Sequence, residues 1–437
     1  IEQVSTRDGL SMLDSRKKVV IVGGGFGGLT AAKALASNEV DVTLIDSTNH
    51  HLFQPLLYQV ATAALSAGDI ASPLRTIVQG KRNIRVVMDE AIGVDRQART
   101  VQVRDGQLPF DVLILAPGSR HSYFGHDQWE KMAPGLKALA DALSIREHVL
   151  LSFEHAAAAH STAEVQRYLR FAIVGGGPTG VELAGALAEI AKHSIMPDFP
   201  TLTPSDIRVI LIEAGDRILA GFDEGLSSKA QAVLASLGVE VRLKTRVTDI
   251  SEQGVYAGDT LIETANVIWA AGNEASPMLA TLGAPLDHQR RVCVEPDLSI
   301  PGDPFIFVIG DAARALDDKG HALPALAPVA IQQGRYVARL LGDRTAPASR
   351  APFVYKDRGM LATIGKAHAV VQIGPFRTVG LLAWLLWSVV HIFFLIGFRN
   401  RLRVMFEWIW YYRTQRPGSR LIIAKNGENR VERRARG

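Results

Sequence analysis

The 437-residue sequence predicts an α/β chain of two similar parallel-sheet units with a helical apolar segment behind them. Two observations carry the first part. An apolar run, a glycine-rich turn and a helical stretch occur in that order twice, at residues 18–35 and 170–190, and each time the next apolar run ends in an acid. The second part rests on residues 379–398, a 20-residue stretch without a formal charge that precedes a basic terminus.

A composition of 47% hydrophobic and 21% charged residues excludes disorder and supplies cores for two or three domains. The single cysteine, Cys293, excludes a disulfide framework or a dithiol relay, since either needs two sulfurs, and it fits a reducing compartment. Residues 1–16 read as a polar tail without the apolar core of a secretory signal. The net charge of +4 is uneven: residues 399–437 hold 11 Lys and Arg against three acids. A polyanion or an anionic membrane surface would both suit that terminus.

In the first unit the run Lys18-Val-Val-Ile-Val22 has the character of a strand buried on both faces, and the turn Gly23-Gly24-Gly25-Phe26-Gly27-Gly28 follows it. Gly23 permits the tight turn, Gly25 lets backbone approach a diphosphate, and Gly28 lets helix and strand pack closely. A second strand at 40–45 delivers Asp46, 18 residues after Gly28, where a carboxylate can accept ribose hydroxyls. The second unit repeats this with Gly175, Gly176, Gly177, Pro178, Thr179 and Gly180, a helix over 181–190, and a strand at 207–212 ending in Glu213. The longer spacing of 33 residues from Gly180 to Glu213 is accounted for by a proline-containing loop at 193–205. Glu213 would repel a 2′-phosphate and so favours NADH over NADPH, with Arg217 nearby as the opposing feature.

Three further strand ends, Ala116-Pro-Gly118, Ala270-Ala-Gly272 and Ile309-Gly310-Asp311, resemble the recurring marks of the two-dinucleotide flavoprotein superfamily. The resemblance implies two Rossmann-like domains. The first turn, with Gly118, Gly310 and Asp311, would bind FAD tightly, and the second, with Gly272, would bind NADH as substrate. The boundaries that follow are an FAD-binding part at 17–118, an inserted NAD(H)-binding domain with a connecting helix at 119–273, a second FAD-binding part at 274–353, and a membrane-anchoring region at 354–437.

The segment Asn49-His-His-Leu-Phe-Gln-Pro-Leu-Leu-Tyr-Gln-Val-Ala-Thr62, together with Ala327-Pro-Val-Ala-Ile-Gln-Gln-Gly334, resembles type II NADH dehydrogenases. These are single-subunit flavoproteins that pass electrons from NADH to quinone. The resemblance covers nearly all of residues 17–420. It implies a catalytic role for Glu182 and Gln332, FAD contacts from Gln54 and Ala91, and a quinone as acceptor near Gln332 and Lys366. Glu182 has a second reading as a first-turn acid complementing the helix dipole. One departure is Pro328, which stands where the family carries a glutamine and offers no side-chain donor. Relatives that need a redox cysteine pair are excluded by the single sulfur. No metal-ligand cluster is present in the sequence, so no metal is expected. A soluble NADH reductase of a protein acceptor, and a nucleotide-sensing flavoprotein similar to apoptosis-inducing factor, stay open as alternatives.

The uncharged stretch at 379–398 is long enough to span a bilayer, but one crossing would put the basic terminus opposite the nucleotide domains, against the positive-inside tendency. The following stretch at 402–412 is too short to return. In-plane attachment is therefore expected, with Arg399, Arg403 and Glu407 on one side of a helix and Leu402, Met405, Phe406, Ile409 and Tyr412 on another. The expected setting is peripheral, on the cytoplasmic face of the cell inner membrane against anionic lipid. Nucleic acid is not an expected partner, because the arginines interleave with apolar side chains; a homodimer is compatible with the sequence.

Overall fold

The computed structural model describes residues 16–414 and 419–422. The predicted tail, apart from Arg16, and residues 415–418 and 423–437 of the basic terminus lie outside the described residues. In chain order the elements that position the site are β1 (Lys17–Val22), α1 (Phe26–Ala34), β2 (Val40–Asp46), α2 (Leu57–Ala61), β3 (Ile84–Met88), β4 (Val112–Leu115), α3 (Leu139–Ala157) and β5 (Arg170–Val174). They continue with α4 (Pro178–Ile190), β6 (Arg208–Ile212), β7 (Val239–Arg242), β8 (Asn266–Trp269), β9 (Asp303–Val308), α5 (Ala327–Gly342), β10 (Met360–Gly365), β11 (His368–Ile373), β12 (Phe376–Gly380), α6 (Leu381–Phe394) and α7 (Phe398–Thr414).

The chain divides into two compact units. The first holds residues 16–51, 73–120 and 274–356. Its sheet runs β9, β4, β1, β2, β3, all parallel, with the short strand Ser299–Ile300 antiparallel at the β9 edge. Strand β1 is buried from Val19 onward and β4 throughout, as their unbroken apolar runs require of a sheet covered on both faces. Helices α1 and α5 approach closely because a Cβ on Gly334 would lie 2.4 Å from the Gly27 carbonyl oxygen.

The second unit holds residues 121–273 and also 52–72 and the chain from 357 onward. Its parallel sheet runs β7, β6, β5, β8, with register Phe171 to Val209 on one side and Phe171 to Asn266 on the other. Tyr123, Trp129 and Trp269 fill the core beside it. The expected connecting helix is α3, followed by a shorter one at Thr162–Tyr168. The proline-containing loop after α4 is partly helical, with a π-turn at Ala191–Ile195.

Two placements were not foreseen. Residues 52–72, read with the first nucleotide turn, pack with the second unit, where Tyr58 and Gln59 are buried. The antiparallel sheet β10–β11–β12 also belongs there, and α4 packs on β10.

The uncharged stretch is broken. Helix α6 stops at Phe394, Leu395 is extended, and Gly397 takes φ +89° before α7 begins. At 14 residues α6 is about 21 Å long, short of a hydrocarbon core of about 30 Å. Among the described residues no helix is long and apolar enough to cross a membrane. The apolar face predicted for α7 is exposed, with Leu402, Phe406 and Ile409 all open to solvent. Among the arginines here, Arg403 pairs through Nε with buried Asp69 at 2.8 Å and Arg401 donates from Nε to the Leu395 carbonyl at 2.8 Å.

Candidate active site

In the first unit β1 ends in a turn that no larger residue could make. Gly23 has φ +98°, and a Cβ there would lie 2.1 Å from the Ala116 carbonyl oxygen; one on Gly28 would lie 1.9 Å from that of Gly23. Gly25 is the opposite case, because its Cβ would meet nothing within 4 Å. The turn is thus packed on its protein side and open where α1 presents its unpaired N–H groups, the geometry a diphosphate requires. Asp46, at the end of β2, accepts the Gly24 N–H at 2.6 Å and both the N–H and hydroxyl of Thr48 at 2.7 Å.

Of the other predicted FAD contacts in this unit, all but Ala91 lie at the ends of the same sheet. Phe26 stands edge-on to His51 with centroids 5.1 Å apart. His51 is buried and donates from Nδ1 to the Gly24 carbonyl at 2.9 Å; burial lowers its pKa and keeps it neutral. Gly310, with φ +69°, follows β9, and Asp311 accepts the Ser119 hydroxyl at 2.8 Å. Gly118 also has a left-handed φ, of +73°. Ala91 opens a separate antiparallel strand, Ala91–Asp95, opposite Val103.

The second unit reproduces this geometry. Gly175 has φ +111°, and a Cβ on Gly180 would lie 1.9 Å from the Gly175 oxygen, while Gly177 is again open. Pro178 and Thr179 form the first positions of α4, where a missing proline N–H costs nothing. Glu213 accepts the N–H of Gly176 and of Gly215, each at 2.6 Å. Arg217 spends its guanidinium on the carbonyls of Ala220 and Phe222, at 2.8 and 3.2 Å. Gly272, at φ +68°, lies against Ser122 and Phe124.

Glu182 is the fifth residue of α4, and the first turn contains no acid. The helix begins at Pro178, so the dipole reading of Glu182 loses its basis. Its carboxylate receives one long hydrogen bond, 3.3 Å from the Thr363 N–H on β10. Desolvation pushes this carboxyl up to about 8, with the Thr363 contact opposing it. Two turns further, Glu189 binds the Lys366 N–H at 2.7 and 2.9 Å with its two oxygens.

Three expected site residues have their polar groups committed elsewhere. Gln332 donates to the Lys356 carbonyl at 2.9 Å and accepts its N–H at 3.0 Å. Its neighbour Gln333 is buried and accepts the Gly310 N–H at 2.6 Å, so Gln333 supports the strand end that carries Asp311. Lys366 donates to the Tyr412 carbonyl at 2.7 Å and lies over that ring. Gln54 donates to the Lys137 carbonyl at 3.2 Å, within the second unit. His51 and Tyr58 were not singled out; the signal available was a polar side chain inside an apolar run. Among the described residues no group of three His, Cys, Asp or Glu could hold a metal.

The model of the pyridine nucleotide-disulphide oxidoreductases matches residues 17–334, and that of the NDH2 C-terminal domain matches residues 358–416. A type II NADH:quinone oxidoreductase of Mycobacterium tuberculosis, NdhA, is 40% identical over 98% of this chain and 95% of its own. A second from that organism, Ndh, is 40% identical over 93% of this chain and 90% of its own. The chain belongs to the type II NADH:quinone oxidoreductases. The fold agrees: the structure of NDH2 from Plasmodium falciparum in complex with NADH superposes with a TM-score of 0.84 at 21% identity, covering 92% of this chain and 99% of that one. In this type II NADH:quinone oxidoreductase the closed-and-open glycine turn occurs twice, and burial raises the Glu182 carboxyl.

Proposed function

We propose that the first turn holds FAD, the second binds NADH, and the chain transfers two electrons from NADH to a quinone without pumping protons. FAD, when bound, supplies the chemistry by taking the hydride and passing the electron pair on. The overall balance is NADH, quinone and one proton giving NAD⁺ and quinol. The observation that carries the reading is the duplication itself: two turns closed on one side, open on the other, each with an acid bound to its central glycine N–H.

The remaining roles belong to the chain's own residues. Asp46 and Glu213 would exchange part of their backbone hydrogen bonding for ribose hydroxyls. Glu213 disfavours a 2′-phosphate, and Arg217, tied to carbonyls, offers it little compensation. Glu182, neutral near pH 7, can hold the proton that the balance requires. Gln333 would brace Gly310 and Asp311 toward the flavin's ribityl side, and Gln332 would brace the backbone at Lys356.

Anaerobic stopped-flow tests this: NADH should bleach the flavin of the purified protein, and a short-chain quinone should restore it. Bleaching without reoxidation by quinone would refute the acceptor. We also read α6 and α7 as an in-plane attachment to the cytoplasmic face of the inner membrane, on the exposure of Leu382, Val389, Phe393, Phe398, Phe406 and Trp410. Replacing Phe398 and Phe406 by serine should release the protein from sedimenting anionic vesicles. Full retention would count against the attachment.

A further inference from the structure

Trp408, Gln59 and Tyr58 are each more than nine-tenths buried in the second unit and form a hydrogen-bonded chain. The indole of Trp408 can only donate, and it meets Gln59 Oε1 at 2.8 Å. That fixes the amide of Gln59, whose Nε2 then donates to the Tyr58 hydroxyl oxygen at 2.7 Å. The Tyr58 oxygen is therefore an acceptor, and its own proton is left for another group. No hydrogen bond within the described residues takes that proton.

The surroundings say where it can go. Helix α2, which carries Tyr58, packs on α4, which carries Glu182. Of the charges that bear on Tyr58, Glu182 is the strongest, ahead of Tyr412 and Glu189, and each of them opposes ionisation of the phenol. The phenol thus stays a donor. Glu182 has only the long Thr363 contact and room in its hydrogen bonding for another donor.

We propose that Trp408, Gln59 and Tyr58 form a one-way hydrogen-bond chain that directs the Tyr58 hydroxyl proton at the Glu182 carboxylate, making Tyr58 a positioning residue for that acid. The direction is set from α7, since Trp408 is the donor that orients Gln59. When Glu182 is protonated the Tyr58 donor is surplus; when it is ionised the donor holds the charge. The effect on turnover rests on the catalytic reading of Glu182, whereas the effect on its protonation does not.

The test is an infrared pH titration of the protein between about pH 5 and 10, with the Glu182 carboxyl band assigned by its loss in Glu182→Gln. In Tyr58→Phe, which keeps the ring and removes the donor, the midpoint should rise by about one pH unit, the size of one hydrogen bond to a charged group. Gln59→Glu, ionised, would claim the Tyr58 proton and add a like charge, so it should move the midpoint the same way or further. Trp408→Phe should move it less. Thermal unfolding identifies variants that merely loosen the unit. A midpoint unchanged in both folded Tyr58→Phe and folded Gln59→Glu would overturn the proposal, as would a Glu182 band that does not titrate in this range. Should the unaltered protein fail to reduce quinone, the functional reading falls while the titration still decides this one.

Discussion

Replacing Gly185 by alanine tests how tightly α4 is held against β10. The residue lies inside α4, and an added Cβ would stand 2.2 Å from the Ile364 carbonyl oxygen and 2.7 Å from its carbon, where both atoms are backbone. A flexible side chain could swing aside, but a strand carbonyl cannot, so helix and strand must separate by about 1 Å. Overpacking of this kind costs about 1–3 kcal/mol. Alanine regains about 0.5–1 kcal/mol over glycine in a helix, which leaves a net loss of about 1–2 kcal/mol. For a chain of 437 residues that corresponds to a fall in Tm of about 1–2 °C. The separation also acts on function, because the Thr363 and Lys366 N–H groups on either side of Ile364 bind Glu182 and Glu189. Quinone reduction should therefore decline with flavin content unchanged. Gly68→Ala is the control: its Cβ would meet nothing within 4 Å, and its Tm should hold. A Gly185→Ala protein with the Tm and turnover of the unaltered chain would show that α4 and β10 are not in the contact described.

Gly28→Ala and Gly180→Ala each place a Cβ 1.9 Å from a carbonyl oxygen, and their consequences should differ. The first should cost the purified protein its flavin absorbance, and the second should keep the flavin but lose its bleaching by NADH. Glu182, held at about 8 against an ordinary 4.5, makes the folded state keep a proton that the unfolded chain releases, so its contribution to stability falls as pH rises between those values. Glu182→Gln should flatten that slope, read as urea midpoints at about pH 5 and pH 8. Arg403→Gln removes the partner of Asp69, which is 1% exposed, and because Arg403 itself is half-exposed the expected cost is about 1–3 kcal/mol. Limited proteolysis should then cut α7 sooner, and an unchanged cleavage rate would mean the pair holds nothing.

Both glycine turns were legible from sequence because much of what sets them is local: a Cβ on Gly28 or Gly180 clashes with the carbonyl five residues back, φ turns positive at Gly23 and Gly175, and an acid ends the next strand. The same locality explains why Glu182 was placed one turn too near the helix start: the first residue of α4 is Pro178, set by its cap and not by apolar periodicity. Side-chain commitments were not legible. Gln332 and Lys366 were read from a motif, yet their partners Lys356 and Tyr412 are 24 and 46 residues away along the chain, and only folding brings them together.

By itself the sequence determined that a glycine-rich turn between strand and helix occurs twice, that each is followed by a strand ending in an acid, and that one sulfur forbids an intramolecular dithiol route. The tertiary structure decided which polar groups are free. Burial raised Glu182 and committed Arg403 to Asp69, because the desolvation of a carboxylate depends on everything packed around it. It also broke the uncharged stretch at Leu395 and Gly397, turning a segment long enough to cross a bilayer into two helices with an exposed apolar face. Hydropathy counts residues, and only the fold says where a helix ends.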